Sequence, residues 1–304
     1  MLRFIVGFCF VLICSAYVHA QQAATFAQYM FNGLAINPAY AGSHDALSVT
    51  ALSRFQNVGL PGSPNTQTLS AHAPLLNKRV AVGLLVIRDK LGIIDQHGVH
   101  GFYAYKLPIN EKASITFGLQ AGYSKYQAEY SNLDIYHFPD LAFSQDIRET
   151  RPNFGAGVYY RTERTYFGAA MPHMLNNVFD RGVGFQTVKQ NVPVILTGGH
   201  VITLNRMIDF KPNFMFRLLD NRPVELDINA NFLFDEVLWL GMSYKSSKQV
   251  ALLTELKLTD QIWFGYSYTV TAGPIRVVEL GSHELLLNYR FNYFKRGVVT
   301  PRYF

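Results

Sequence analysis

The chain has 304 residues, 49% hydrophobic and 14% aromatic, a composition that excludes intrinsic disorder. Its 27 basic residues exceed its 21 acidic ones, but the Lys and Arg are scattered, so no nucleic-acid partner is expected. After residue 20 no apolar run approaches about 18 residues, which excludes membrane-spanning helices.

The first twenty residues have the features of a secretory signal peptide. Arg3 supplies the positive charge, an apolar stretch runs from Phe4 to Cys14, and Val18-His19-Ala20 resembles a cleavage site. Cleavage near Ala20 would remove Arg3 and leave 26 basic against 21 acidic residues, a net charge of about +5. It would also remove both cysteines, so we expect no disulfide in the exported chain.

Residues 21–45 form an aromatic-rich stretch without strand-like alternation. We expect a short helix from Ala23 to Leu34. Asn37-Pro38 indicates a turn, because the residue before a proline is pushed out of the helical region. Gly42-Ser43 indicates a second break.

From about Ala46 onward, segments of eight to twelve residues alternate apolar and polar residues. In the clearest case, Ser114 to Ser124, the odd-numbered side chains are apolar and the even-numbered ones are polar or absent. A strand with this pattern has one apolar face, which can face lipid if the sheet closes on itself. The predicted strands are 46–54, 66–73, 79–88, 97–106, 113–125, 152–160, 164–171, 192–203, 207–217, 223–233, 237–245, 248–257, 261–269 and 283–294.

The length of the connections between these strands alternates along the chain. When they are numbered from the first hairpin, most odd-numbered connections are long and the even-numbered ones are short. Outer-membrane barrels have an even number of strands, short periplasmic turns and longer outer loops. The predicted fold is therefore all-β: an antiparallel transmembrane β-barrel of about 14 strands over residues 46–294, in contact with the lipid of a Gram-negative outer membrane. Residues 295–304 would form a periplasmic tail, and residues 21–45 either a plug in the lumen or a periplasmic arm. The predicted long connections are Phe55–Asn65, Asp89–Gln96, Tyr126–Arg151, Pro172–Asn191 and Val270–Ser282.

Charged residues fall on the inward face of the predicted strands. In a hairpin of 207–217 and 223–233, Arg217 would lie near Glu225 and Lys211 near Asn231, while Pro212 should interrupt the ladder locally. We interpret these charges as a salt-bridge network that fills and stiffens the lumen, with a ligand or substrate path as the alternative. The predicted lumen charges are Asp209, Lys211, Arg217, Glu225, Asp227, Glu284 and Arg290.

Two motifs precede the barrel: Phe26-x-Gln28-Tyr29-Met30-x-Asn32, and then Asn37-Pro38-Ala39-Tyr40-Ala41-Gly42-Ser43. They resemble the N-terminal signature of the PorP/SprF family of type IX secretion system membrane proteins. Gly33 departs from this signature, since family members often carry proline there, and it should loosen the end of the expected helix. The resemblance continues through Asp89-Lys90-Leu91-Gly92, Tyr103-Ala104-Tyr105, Phe117-Gly118-Leu119, Gly265-Tyr266-Ser267-Tyr268 and Ser282-His283-Glu284.

The resemblance implies an outer-membrane barrel that serves the type IX secretion and gliding system. Some family members associate with periplasmic ring components of the motor. Others pair with one large secreted adhesin, recognise its C-terminal sorting domain, and help to export it or to anchor it at the cell surface. The implied partner is therefore an adhesin-type cargo protein or the periplasmic ring.

The sequence contains no strong catalytic, metal or cofactor constellation. Asp95, His97 and His100 are close together, but the two histidines would point to opposite faces of a strand, as would His283 and Glu284. No Gly-rich phosphate loop or Gly-x-Ser-x-Gly motif is present. We therefore predict no enzyme, cofactor or metal. The alternatives are a passive transporter for small hydrophobic molecules, which should have a continuous apolar tunnel, and an outer-membrane enzyme.

Overall fold

The computed structural model describes residues 26–75, 78–130, 146–179, 188–189, 192–220, 222–273 and 278–291. The expected signal peptide and the expected tail at 295–304 lie outside these residues. None of the described helical turns is long and apolar enough to span a bilayer. The strands are β1 (Leu47–Phe55), β2 (Asn65–Pro74), β3 (Val80–Leu91), β4 (Ile94–Pro108), β5 (Ser114–Ala128), β6 (Ile147–Arg161), β7 (Thr165–Met171), β8 (Val178–Phe179), β9 (Val188–Lys189), β10 (Val194–His200), β11 (Ile202–Thr203), β12 (Ile208–Leu218), β13 (Glu225–Phe234), β14 (Leu238–Lys245), β15 (Gln249–Lys257), β16 (Ile262–Thr271) and β17 (Ser282–Phe291).

All of these strands except β8 and β9, which pair only with each other, belong to one antiparallel sheet. The sheet closes because β1 pairs with β17 from Leu47↔Phe291 to Phe55↔His283. β10 and β11 together form a single barrel strand. The described residues therefore form the predicted closed barrel of 14 strands.

The interruption between β10 and β11 comes from a missing backbone donor. The pairs Gly199↔Asn213 and Ile202↔Phe210 flank the gap without a change of register. Pro212 lies opposite the gap and has no N–H to donate. On its other side β12 stays paired with β13 along its whole length. The predicted irregularity at Pro212 is confirmed, and it affects only one neighbouring strand.

The hairpin of β3 and β4 is longer than the alternation predicted. The expected long connection Asp89–Gln96 is wrong, because pairing continues to Leu91↔Ile94 and leaves a two-residue turn. Gly92 makes this turn possible, since its φ of +58° is a conformation that glycine adopts without a Cβ clash. Each of β4, β5 and β6 has 15 residues, more than the 9 to 11 or so that cross a bilayer. This side of the barrel therefore extends beyond the hydrocarbon layer.

The two faces of the barrel differ as the sequence predicted. Leu119 and Leu252, which point outward, are 61% and 60% exposed. Inward-pointing Asn213 and Asn229 on β12 and β13 are almost completely buried. The apolar outer face is the surface that contacts lipid.

Residues 26–46, which we call the inner segment, lie inside the barrel and contribute to the two largest buried clusters. The helix expected from Ala23 to Leu34 is not formed in its described part. Three 3₁₀ turns are present instead: Tyr29–Phe31, Gly33–Ala35 and Pro38–Tyr40. Asn32 ends the first turn with φ at −132°, and its side-chain amide donates to Thr68 Oγ1 on the wall (3.4 Å). The barrel wall thus replaces the hydrogen bonds that a continuous helix would have made.

Candidate functional site

The inward faces of β3 to β7 form a wall rich in glycine, on which residues 33–42 of the inner segment lie. A Cβ atom on Gly118 would overlap the backbone of Ala39, and one on Gly157 would overlap the side chain of Asn37. Asn37 Nδ2 donates to the Val158 carbonyl (3.1 Å), and its Oδ1 accepts from Ala39 N (2.9 Å). Asn37 is extended, as expected before proline. This glycine wall permits a backbone approach that any larger residue would prevent.

Gly33, the departure from the family signature, gives space to Tyr40. A Cβ atom at position 33 would lie 2.5 Å from Tyr40 Cδ2. The Tyr40 ring packs edge-on against Tyr159, with ring centroids 5.6 Å apart, and its hydroxyl lies 3.2 Å from His44 Nε2. Glycine at position 33 therefore leaves the space that the Tyr40 ring occupies.

Polar contacts fix the inner segment at the end of the barrel where it joins β1. Gly42 has φ at +75°, and its N–H donates to His72 Nδ1 (3.1 Å). Arg161 donates to the Ser43 carbonyl, and Asp45 lies 3.8 Å from Arg161. Residues 33–46 are therefore held by both packing and hydrogen bonds.

Residues 26–31 reach the half of the lumen near the end of β1, where Glu284 binds them. Its carboxylate accepts the backbone N–H of Ala27 (2.7 Å) and of Gln28 (3.1 Å), and it lies 3.3 Å from Arg54 Nε. Both charged side chains are at most 2% exposed. Asn229 Nδ2 adds one further bond, to the Tyr29 hydroxyl (2.9 Å). The carboxylate of this buried ion pair thus also binds two backbone amides of the inner segment.

The predicted lumen charges occupy several places. Arg217 pairs with Glu225 (3.2 Å), as predicted, and Asp227 pairs with Lys245 (3.3 Å). Lys211 lies opposite Asn231, as predicted, and its Nζ is 5.3 Å from the Trp239 ring centroid. Arg217–Glu225 and Asp227–Lys245 are thus contacts between neighbouring strands of the wall.

The other two predicted charges lie near the start of β12 and the end of β17. Asp209 accepts from Thr203 Oγ1 (2.6 Å) in an exposed position. Arg290 donates to Asn288 Oδ1 (2.7 Å) and lies over Trp263. The sequence reasoning missed Arg54 and Glu255 as buried lumen charges, although Arg54 occupies an inward position of the first alternating strand and could have been found.

The histidines that stood out in the sequence do not form a site. His97 lies 3.1 Å from Asp95 in a partly exposed position, whereas His100 points into the lumen and is 2% exposed. His283 points outward and contacts the Tyr266 hydroxyl (2.8 Å), away from Glu284. Among the described residues no group of three or more His, Cys, Asp or Glu could hold a metal ion.

The space between the inner segment and the glycine wall is small. A cavity of about 20 Å³ remains there, lined by residues that include Tyr29, Gly33 and Tyr166. It has room for about one water molecule. The inner segment and the glycine wall are therefore closely packed at this place.

Residues 18–289 match the family described as type IX secretion system membrane protein PorP/SprF. The chain belongs to this family. It is thus an outer-membrane β-barrel of the type IX secretion system, as the motifs at Phe26–Asn32 and Asn37–Ser43 indicated. No curated protein matches the chain.

Several solved barrels share the fold at low sequence identity. The CymD monoaromatic hydrocarbon channel is 10% identical with a TM-score of 0.51, over 90% of this chain and 94% of that one. A Pseudomonas aeruginosa FadL homologue is 12% identical with a TM-score of 0.50, over 88% and 94%. The Acinetobacter baumannii outer membrane protein Omp33 is 10% identical with a TM-score of 0.47, over 81% and 98%. At these identities the first two support the fold alone.

Proposed function

We propose that this protein is a non-enzymatic barrel that pairs with a large secreted surface adhesin. It recognises the C-terminal sorting domain of that adhesin and exports it or anchors it at the cell surface. The inner segment acts as a plug that closes the lumen when the partner is absent. The observation that carries this proposal is the seating of residues 26–46 inside the barrel, with Glu284 bound to two of their backbone amides.

Membership of the PorP/SprF family supports the proposal, because it associates the barrel with type IX secretion. The distribution of contacts also supports a plug that can move in part. Residues 33–46 are held by the glycine wall and by Arg161, whereas residues 26–31 have few polar contacts, mainly those to Glu284 and Asn229. Residues 26–31 are thus held mainly by apolar packing and by few polar bonds, which a partner that enters the lumen could replace.

Pairing with the periplasmic ring is the second candidate within the same system. It would use the short turns at 109–113, 162–164 and 258–261, which lie at the periplasmic end. A passive transporter of hydrophobic molecules is less well supported. Hydrocarbon passage is a property of CymD itself, and the inward face here carries buried Lys211, Glu255 and Asn231 where an apolar tunnel would need apolar residues.

A gentle detergent pull-down from the native host tests the proposal. An affinity tag placed in the exposed turn at 258–261 leaves the outer mouth free. We expect the barrel to bring down one large secreted protein, and deletion of the barrel gene to remove that protein from the cell surface. Repeated recovery of the monomer alone, together with normal surface display in the deletion strain, would contradict the proposal. An unrelated tagged barrel from the same membrane is the control.

A further inference from the structure

Five inward side chains on four neighbouring strands, β13 to β16, have polar atoms without a hydrogen-bond partner in the protein. We call these residues the polar wall. The atoms are Oδ1 of Asn229, both amide atoms of Asn231, Oγ of Ser243, Oε1 of Glu255 and Oγ of Ser267. Each of the five residues is at most 2% exposed. Native proteins pair nearly all such groups, because an unpaired buried polar atom costs free energy.

The cover of the polar wall does not match it chemically. Residues 26–31 lie over it and contribute Phe26, Met30 and Phe31 to an apolar cluster with Leu253 and Leu286. These three side chains offer neither donors nor acceptors, and Tyr29 supplies one polar contact, in which its hydroxyl accepts from Asn229 Nδ2 (2.9 Å). The side-chain oxygen of Gln28, which lies over Gly265 beside the wall, is itself without a partner.

Two polar residues of β2 show a matched contact with the inner segment. Ser70 Oγ donates to Asn32 Oδ1 (3.1 Å), and His72 Nδ1 accepts from Gly42 N (3.1 Å). The polar wall differs from these residues in that its six unpaired atoms lie on four adjacent strands under residues 26–31, the part of the segment that the wall holds by few polar contacts.

The contact with Glu284 shows what the lumen can bind at this place. Glu284 lies directly across from Ser267 in the β16–β17 pairing, so it continues the polar wall. Its carboxylate binds the consecutive backbone amides of Ala27 and Gln28. An extended polypeptide presents one N–H and one C=O for each residue. The wall offers acceptors in Glu255 and Asn231 and donors in Ser243 and Ser267, which fits such a backbone.

We propose that the polar wall is the binding surface for an extended polypeptide segment of the secreted partner, which displaces residues 26–31 and takes their contact with Glu284. This inference rests on the proposed function and names the surface and the class of ligand. Residues 26–31 then act as an internal stand-in for the partner. A small hydrophobic molecule in the same place would leave the wall unpaired, as residues 26–31 do.

The double variant Ser243→Ala/Ser267→Ala tests the surface. Both hydroxyls are unpaired in the plugged protein, so their removal should leave the thermal unfolding temperature unchanged or raise it. The partner should lose a hydrogen bond at each position, and each neutral bond is worth about fivefold in affinity. We expect recovery of the large secreted protein in the pull-down to fall at least fivefold.

Ser70→Ala is the matched control, because this hydroxyl is equally buried but is paired with Asn32. It should lower the unfolding temperature without reducing recovery of the partner. The proposal is overturned if the double variant recovers the partner at the wild-type level, or if its unfolding temperature falls as far as that of Ser70→Ala. If the wild-type barrel recovers no partner, the proposed function itself fails and this surface fails with it.

A disulfide between the inner segment and the wall gives an independent test. In Gln28→Cys/Gly265→Cys the two positions are close, since a Cβ atom at residue 265 would lie 3.5 Å from Gln28 Cδ. The chain's own cysteines, Cys9 and Cys14, lie in the expected signal peptide. We expect the oxidised protein to bind no partner and the same protein to bind it after reduction. Equal binding in the two forms would show that residues 26–31 are not displaced.

Discussion

Glu284→Gln should loosen the outer half of the inner segment. The carboxylate accepts two backbone N–H groups and lies beside Arg54, with both charged side chains almost completely buried. Glutamine has the same shape but keeps only one acceptor oxygen and carries no charge. One amide of the inner segment therefore loses its acceptor, and Arg54 loses its counter-charge.

The magnitude follows from these contacts. A hydrogen bond to a charged group contributes about 1.5–3 kcal/mol, so the loss of one such bond should cost about 2 kcal/mol of the free energy that holds residues 26–31 in place. This corresponds to a roughly 30-fold larger open population. Separation of the buried pair should cost about 3–5 kcal/mol of total stability.

The assay uses Ala27→Cys as a reporter, since Ala27 is 1% exposed in the plugged protein. A water-soluble maleimide labels the thiol only when residues 26–31 leave the lumen. We expect labelling of the Ala27→Cys protein to be about 30-fold faster when Glu284→Gln is added. Glu225→Gln is the control, because Glu225 pairs with Arg217 at the outer rim. Equal labelling rates with and without Glu284→Gln, or the same acceleration by Glu225→Gln, would refute the role given to Glu284.

Two further predictions concern the barrel wall. Gly118→Ala should lower the free energy of unfolding by about 1–3 kcal/mol, because its Cβ would overlap the Ala39 backbone, whereas a Cβ at Gly101 would make only an ordinary contact with the Ala121 carbonyl oxygen (3.8 Å), so Gly101→Ala should have no effect in the same denaturant titration. Leu252→Arg places a charge on the lipid-facing side near the middle of β15 and should cost about 2–4 kcal/mol in liposome folding. Leu258→Arg, in the periplasmic turn, should cost at most about 1 kcal/mol; equal costs for the two would show that the lipid-facing assignment is wrong.

Local alternation was sufficient to predict the barrel because side chains of a strand alternate between two faces. It gave the number of strands, both faces, the register of Arg217 with Glu225 and the effect of Pro212. It placed the ends of β3 and β4 wrongly. The polar residues within 89–96 fit a loop as well as they fit a strand that extends beyond the membrane, so their pattern does not distinguish the two. Only the pairing Leu91↔Ile94 and the turn at Gly92 distinguish the two.

The residues of the candidate site were found in part. The motif Phe26–Asn32 lies in the inner segment, but its expected helix is wrong, because Asn32 bonds to Thr68 and Ser70, which are 36 and 38 residues further along the chain. Glu255 was not recognised as a lumen charge. Its neighbours in the lumen come from strands that are distant in sequence.

By itself the sequence determined a closed sheet with one apolar face, and the family that its N-terminal motif resembles. Both follow from patterns among residues that are close in sequence. The two-residue period of a strand indicates the sheet, and the spacing of the motif residues indicates the family. Only the tertiary structure decided what fills the lumen and how. Glu284 and the amides of Ala27 and Gln28 are more than 250 residues apart, and barrel closure brings them together. The unpaired atoms of the polar wall have the same origin, because whether a buried polar group has a partner depends on contacts that no local pattern records.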